Sequence, residues 1–128
     1  KNQEYVKYDL SGKDLGAADF TGSYFSVSSL KGSDLTGANM TNVIAYATRF
    51  DDANLTNVNL TGAELLKSVF DGATIDGTDF TDAVLDRSQQ KNLCKVATGN
   101  TAESLGCNTT SAGYVPASGG QNSFNPGT

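Results

Sequence analysis

Two cysteines and a scatter of carboxylates are the residues of this chain that could do chemistry. Cys94 and Cys107 are its only cysteines, and it has no histidine. The lack of histidine removes the Ser-His-Asp and Cys-His nucleophile systems and the commonest metal ligand. A pair of carboxylates can share acid–base work, but only in a cleft that desolvates one of them. Asp51, Asp52 and Asp71 are the acids to watch, and what they can do depends on which elements bring them together. No phosphate-binding glycine loop occurs; the glycines recur at offsets that suit corners. No cofactor is implied, and the chain reads as a non-enzyme.

The elements that position these residues follow a period of five. From Leu10 to Leu85 every fifth residue is large and apolar, with Ala45 the single exception and no insertion or deletion. Five fits neither the 3.6-residue period of a helix nor the alternation of a strand. A five-residue unit can place two inward residues, two apart, and then turn a corner. The second inward position is small or β-branched from Ala18 through Ser23, Ser28, Ser33, Ala38, Val43, Thr48 and Ala53 to Ala83. Small beside large fills a narrow interior without voids. The residue between them points outward and is often polar, as at Asp14, Asp34, Asn39, Asn54, Asn59 and Asp79. Corner pairs such as Thr21-Gly22, Thr36-Gly37 and Asp76-Gly77 suit the positive φ of tight turns. Units this short cannot bury their own apolar face and must stack on their neighbours.

The units Ala38-Asn39-Met40-Thr41-Asn42, Ala53-Asn54-Leu55-Thr56-Asn57 and Ala63-Glu64-Leu65 resemble those of the pentapeptide repeat proteins, and the resemblance covers residues 8–87. It implies an all-β fold, a right-handed quadrilateral parallel β-helix with four units per coil. Sixteen units make about four coils, a column about 20 Å tall at the usual strand spacing. Residues 1–7 form a lead-in, where Tyr5 and Tyr8 either begin an imperfect first side or cover the open end of the core. Tyr8 and Lys13 occupy nominally small inward positions, so the first side is expected to be irregular.

Residues 88–107 break the period. Leu93, Val96 and Ala97 stand at helical spacing, Asn100 and Glu103 resemble a capping box, and Gly106 suits a helix end. Two short helices are expected to seal the bottom of the core, as a solenoid requires. Both cysteines fall in this cap. A Cys94–Cys107 disulfide would close a loop worth roughly 3 kcal/mol and would favour an oxidising compartment; two buried free thiols, or a metal pair, are the alternatives. The segment Leu93-Cys94-Lys95 with Glu103-Ser104-Leu105-Gly106-Cys107 is similar to the cap of exported pentapeptide repeat proteins of oxygenic phototrophs, several of them from the thylakoid lumen. That resemblance implies an exported location, thylakoid lumen or periplasm. Residues 108–128 are rich in Gly, Ser and Asn and are expected to dock on the solenoid through Tyr114, Val115, Pro116 and Phe124. The sequence opens without Met or a signal peptide, as a mature or trimmed chain would, and has no run of about 20 apolar residues to cross a membrane.

Twenty residues per coil would stack Asp51 over Asp71, beside Asp52. Carboxylates about 5 Å apart repel unless salt or a cation intervenes; a solvated acidic edge is the alternative to a cation site. The same stacking makes two outward faces polar ladders. A third face gathers Tyr24, Ile44, Glu64 and Val84 in one column, with Tyr46 and Leu66 adjoining and Val27 at its corner. Such an apolar patch marks a candidate surface for a protein partner, unless the chain's own tail covers it. The family also suggests mimicry of DNA to block a topoisomerase, but residues 1–87 carry thirteen acids and seven bases, about half the charge that duplex DNA spreads over about 20 Å. Acidity likewise argues against binding nucleic acid or an anionic membrane. The first coil has no evident cap, so a monomer or a weak end-to-end dimer is expected.

Overall fold

The computed structural model describes residues 1–110 and 113–115, with the side chains of residues 108–110 and 113–115 left aside. Every fifth residue from Asn2 to Asp82 takes a positive φ between 54 and 74°, so the chain turns a corner at each unit. Four corners complete a coil. Each side bonds to the side twenty residues on, in parallel: Asp14 pairs with Asp34, Asp34 with Asn54, and Asn54 with Thr74. Typical rungs are Leu30 N–H to the Arg49 carbonyl at 2.7 Å and Asn54 N–H to the Ser33 carbonyl at 2.9 Å. The result is a right-handed quadrilateral β-helix, whose backbone polar groups are satisfied coil to coil.

Three sides make single bridges, and the fourth makes short strands. These are β1 (Glu4–Val6), β2 (Tyr24–Ser26) and β3 (Ile44–Tyr46), paired in parallel in that order. The expected lead-in is therefore already a side of the first coil, and Asn2 and Lys7 donate to the carbonyls of Thr21 and Ser26. Tyr5 fills an inward position and stacks on Phe25 at 4.7 Å, while Tyr8 meets its edge and stays exposed.

The strand side turns its corner differently, and buried hydroxyls make up the difference. On the other sides the corner closes with a bond such as Ala53 N–H to the Phe50 carbonyl, 3.0 Å. After β1 and β3 a hydroxyl from the coil below bridges instead. Ser28 Oγ donates to the Tyr5 carbonyl at 2.6 Å and accepts Tyr8 N–H at 3.0 Å. Ser68 Oγ donates to the Ala45 carbonyl and accepts Thr48 N–H. After β2, Thr48 Oγ1 donates to the Phe25 carbonyl at 2.9 Å. The small inward positions of this column are thus polar for a reason, since a buried carbonyl without a partner costs about 1–3 kcal/mol. The large residues fill the interior in stacked columns, fully buried in the middle coils. Leu10 and Leu15 at the top and Phe70 near the bottom are only partly covered.

The cap follows without a break. Helix α1 (Arg87–Cys94) opens on a capping box: Asp86 Oδ1 accepts Gln89 N–H and Gln89 Oε1 accepts Asp86 N–H, both at 2.8 Å. Helix α2 (Gly99–Leu105) ends at Gly106 with φ 76°. The box expected at Asn100 and Glu103 is absent. Thr98 takes the N-cap, which puts both residues inside the helix, and the true box lies at the junction with the repeats. Val96 falls beyond the end of α1 and is exposed, whereas Leu93 and Ala97 are buried. Cys94 and Cys107 form a disulfide, with their Cα atoms 5.8 Å apart, which ties the end of α1 to the residue after α2.

The expected tail begins as structure. β4 (Asn108–Thr110) and β5 (Gly113–Val115) pair antiparallel, and β5 runs beside α1. Pro116 and Phe124, expected as anchors, lie outside the described residues, as do the side chains of Tyr114 and Val115.

Candidate functional site

Two outward faces are built from one repeated turn. Asp19 Oδ1 accepts both the N–H (3.0 Å) and the hydroxyl (2.6 Å) of Thr21; Asp34 does the same for Thr36, and Asp79 for Thr81. Asn39 and Asn54 use their amide oxygens identically toward Thr41 and Thr56. The turn needs an oxygen, and a charge is optional. In the column Asp19, Asn39, Asn59, Asp79 the two middle coils carry the neutral residue. Charges there do not stack, which holds down the acidity of that face, whereas on the other polar face Asp14 pairs with Asp34. The hydroxyl and N–H of the threonine hold the carboxyls of Asp19, Asp34 and Asp79 below the usual carboxylate range.

Of the three candidate cation ligands, Asp51 is engaged by the chain itself. Asp51, only 9% exposed, meets Arg49 in a fork, Oδ1 to Nε at 3.0 Å and Oδ2 to Nη2 at 2.7 Å. The Arg49 bond holds its carboxyl low. Asp52 sits at a corner and lays its carboxylate over Gly72, where a Cβ would come within 2.2 Å of Oδ1. Asp71 is exposed, and its carbonyl accepts Asp52 N–H at 2.9 Å. The fork neutralises Asp51 within the chain. Among the described residues no group of three or more His, Cys, Asp or Glu could hold a metal ion.

The third face gathers the apolar side chains as expected. Tyr24 pairs with Ile44, Ile44 with Glu64, and Glu64 with Val84 down one column. Tyr24, Ile44, Tyr46, Leu66 and Val27 are all exposed, Tyr46 by 50%. Val84, at the foot of the column, differs in being half-buried. Val27 is the unusual member. It takes φ 54° and is 54% exposed, a left-handed conformation that β-branched residues avoid. Below Leu66 the edge runs into a cleft of about 630 Å³ between the last coil and α1, lined by Lys67, Phe70, Asp71, Asp86, Leu93 and Val96 among others. Sequence reading missed Arg49, the hydroxyl column and Gln89. The fork had a visible signal, a base two residues before the acid it meets.

The family model for pentapeptide repeats matches the chain in eight copies, over residues 9–44 and 48–87. The chain belongs to the pentapeptide repeat family. Among solved structures, this pentapeptide repeat protein is similar to one from Nostoc PCC 7120, at 25% identity and a TM-score of 0.61, over 62% of this chain and 66% of that one. HetL, a pentapeptide repeat protein involved in heterocyst differentiation regulation from the cyanobacterium Nostoc sp. strain PCC 7120, matches at 19% identity and a TM-score of 0.53, over 63% of this chain and 40% of HetL. The match thus spans less than two thirds of either chain. A pentapeptide repeat protein from the Arabidopsis thaliana thylakoid lumen matches over 95% of this chain and 86% of its own, at 29% identity and a TM-score of 0.43. No curated protein matches the chain.

Proposed function

We propose that this pentapeptide repeat protein is a non-catalytic interaction module of an exported compartment, a thylakoid lumen or a periplasm, and that it holds a protein partner on the face formed by Tyr24, Ile44, Tyr46, Leu66 and Val27. The observation that carries this reading is the contrast between faces. Two are closed polar ladders of self-satisfied Asp and Asn turns, while the third exposes five large apolar side chains on an acidic protein. Exposed aromatic and aliphatic groups gathered on one face are what a partner buries. Glu64, exposed in the middle of the patch, would select a partner with a cation at its rim. The compartment rests on the Cys94–Cys107 disulfide, which persists where the surroundings are oxidising.

The test is affinity capture from native extract with three folded proteins: wild type, a Tyr24→Ser, Ile44→Ser, Tyr46→Ser variant, and a Thr74→Lys control on a polar face. Retention of the same protein by wild type and control, and its loss from the triple variant, is the expected pattern. Equal capture by all three would place recognition elsewhere.

A further inference from the structure

We propose that the cleft between the last coil and α1 takes an extended peptide of a partner protein, added as a parallel strand beneath residues 69–73, with a large apolar side chain under Phe70 and a base facing Asp71. The backbone sets the first requirement. In the coils above, each side donates to two carbonyls of the side below it. Leu30 and Gly32 donate to Arg49 and Asp51, and Phe50 and Asp52 donate to Val69 and Asp71, at 2.7–2.9 Å. The two carbonyls flank a phenylalanine each time, Phe50 or Phe70. In the last coil the equivalent N–H groups of Phe70 and Gly72 have no partner among the described residues, and the Ala73 carbonyl has none either. The cap closes other positions of this rim. Gln89 Nε2 donates to the carbonyls of Leu65 and Ser68, Thr101 Oγ1 to that of Ile75, and Ser104 Oγ accepts Phe80 N–H. Residues 70–73 are left as a free edge, a template for one more strand. Two carbonyls two residues apart on one edge are what an extended main chain presents.

The side chains set the other two. Phe50 is fully buried, but Phe70, stacked parallel beneath it at 5.1 Å, is only partly covered. Leu93 and the exposed Val96 line the same cleft. A large apolar residue that continues the stack is buried against these groups. The charge follows from a missing arginine. Asp51, one coil up, is forked by Arg49, two residues before it. Asp71 has Val69 in that place, and its exposed carboxylate forms no ion pair among the described residues. A base beside the apolar residue of the peptide supplies what Arg49 supplies above. At about 630 Å³ the cleft has the volume of an ordinary ligand pocket. The preferred peptide therefore carries a base next to an aromatic residue, as the chain itself does at Arg49 and Phe50.

Amide hydrogen exchange on the full chain, with and without the capped hexapeptide Thr-Arg-Phe-Thr-Gly-Ala, tests this. In the free chain Phe70 and Gly72 should exchange like open amides, and millimolar peptide should slow both about ten-fold or more. A peptide with Ser in place of Phe should bind about ten-fold more weakly. Asp71→Lys, a change at an exposed side chain, should weaken the arginine peptide about three-fold and strengthen one with Glu in place of Arg. Absence of protection at millimolar peptide would overturn the proposal, as would binding indifferent to the Phe or to Asp71→Lys. Slow exchange of Phe70 and Gly72 in the free chain would overturn it too, because the edge would then be taken by this chain or a second copy. Protection of the Tyr24 and Ile44 amides alone would put the peptide on the apolar face and count against the cleft. Failure at the cleft leaves the reading of the apolar face standing, since none of Tyr24, Ile44 and Tyr46 lines it.

Discussion

A single side-chain oxygen on Asp or Asn closes most corners of the two polar faces, and this makes part of the stability depend on pH. The folded-state carboxyls of Asp19, Asp34 and Asp79 lie below the usual range because Thr21, Thr36 and Thr81 donate to them. A depressed folded value means stabilisation that is complete above the unfolded value, near 3.9, and lost as pH falls through it toward the folded value. The urea midpoint should therefore drop as pH is taken from about 6 to about 3. Changing all three to Asn keeps the acceptor that Asn39 and Asn54 already supply. The triple Asn variant should have the urea midpoint of the wild type at neutral pH and lose stability more gently in acid. An unchanged acid slope would show that these turns do not titrate with folding.

Gln89 is where the solenoid hands over to the cap. One amide completes the capping box with Asp86 and also terminates the carbonyls of Leu65 and Ser68, at 2.6 and 2.8 Å. Gln89→Ala should cost about 2–4 kcal/mol. Gln89→Glu, which keeps the oxygen but not the donor, should recover little of it; full recovery by Glu would make the carbonyl contacts unimportant. The sequence made the repeat legible because its period survives sixteen units without a slip, and it made Gly106 legible because only glycine takes φ 76° at no steric cost. It hid the Asp86–Gln89 box because Asp86 directly follows Leu85, the last residue of the period, and so read as a repeat. It hid the role of Ser28, Thr48 and Ser68 because a serine that merely fits a small space looks the same as one that bridges a corner. The apolar face was visible through the spacing of twenty. The partial cover of Val84 was not, since nothing in the spacing tells how far the last coil is shielded.

The column has two unlike ends. Tyr5, itself edge-on to Tyr8, covers the top, and the disulfide-stapled pair of helices covers the bottom. Each coil touches only its neighbours, so loss of the staple should loosen the last coil first. A Cys94→Ser, Cys107→Ser variant should be about 3 kcal/mol less stable, with faster amide exchange at Phe80 and Leu65 than at Leu30; equal loosening along the column would argue for one cooperative unit. If the apolar face serves a partner, it is open on the isolated protein and covered in its own surroundings. Tyrosine footprinting, run on the purified chain and then in native extract, reads this directly. Tyr8, half-exposed at the far top of the column, serves as the internal standard. Tyr24 and Tyr46 should react like Tyr8 in the purified chain and become protected in extract while Tyr8 does not. Equal reactivity of all three in both settings would contradict the claim.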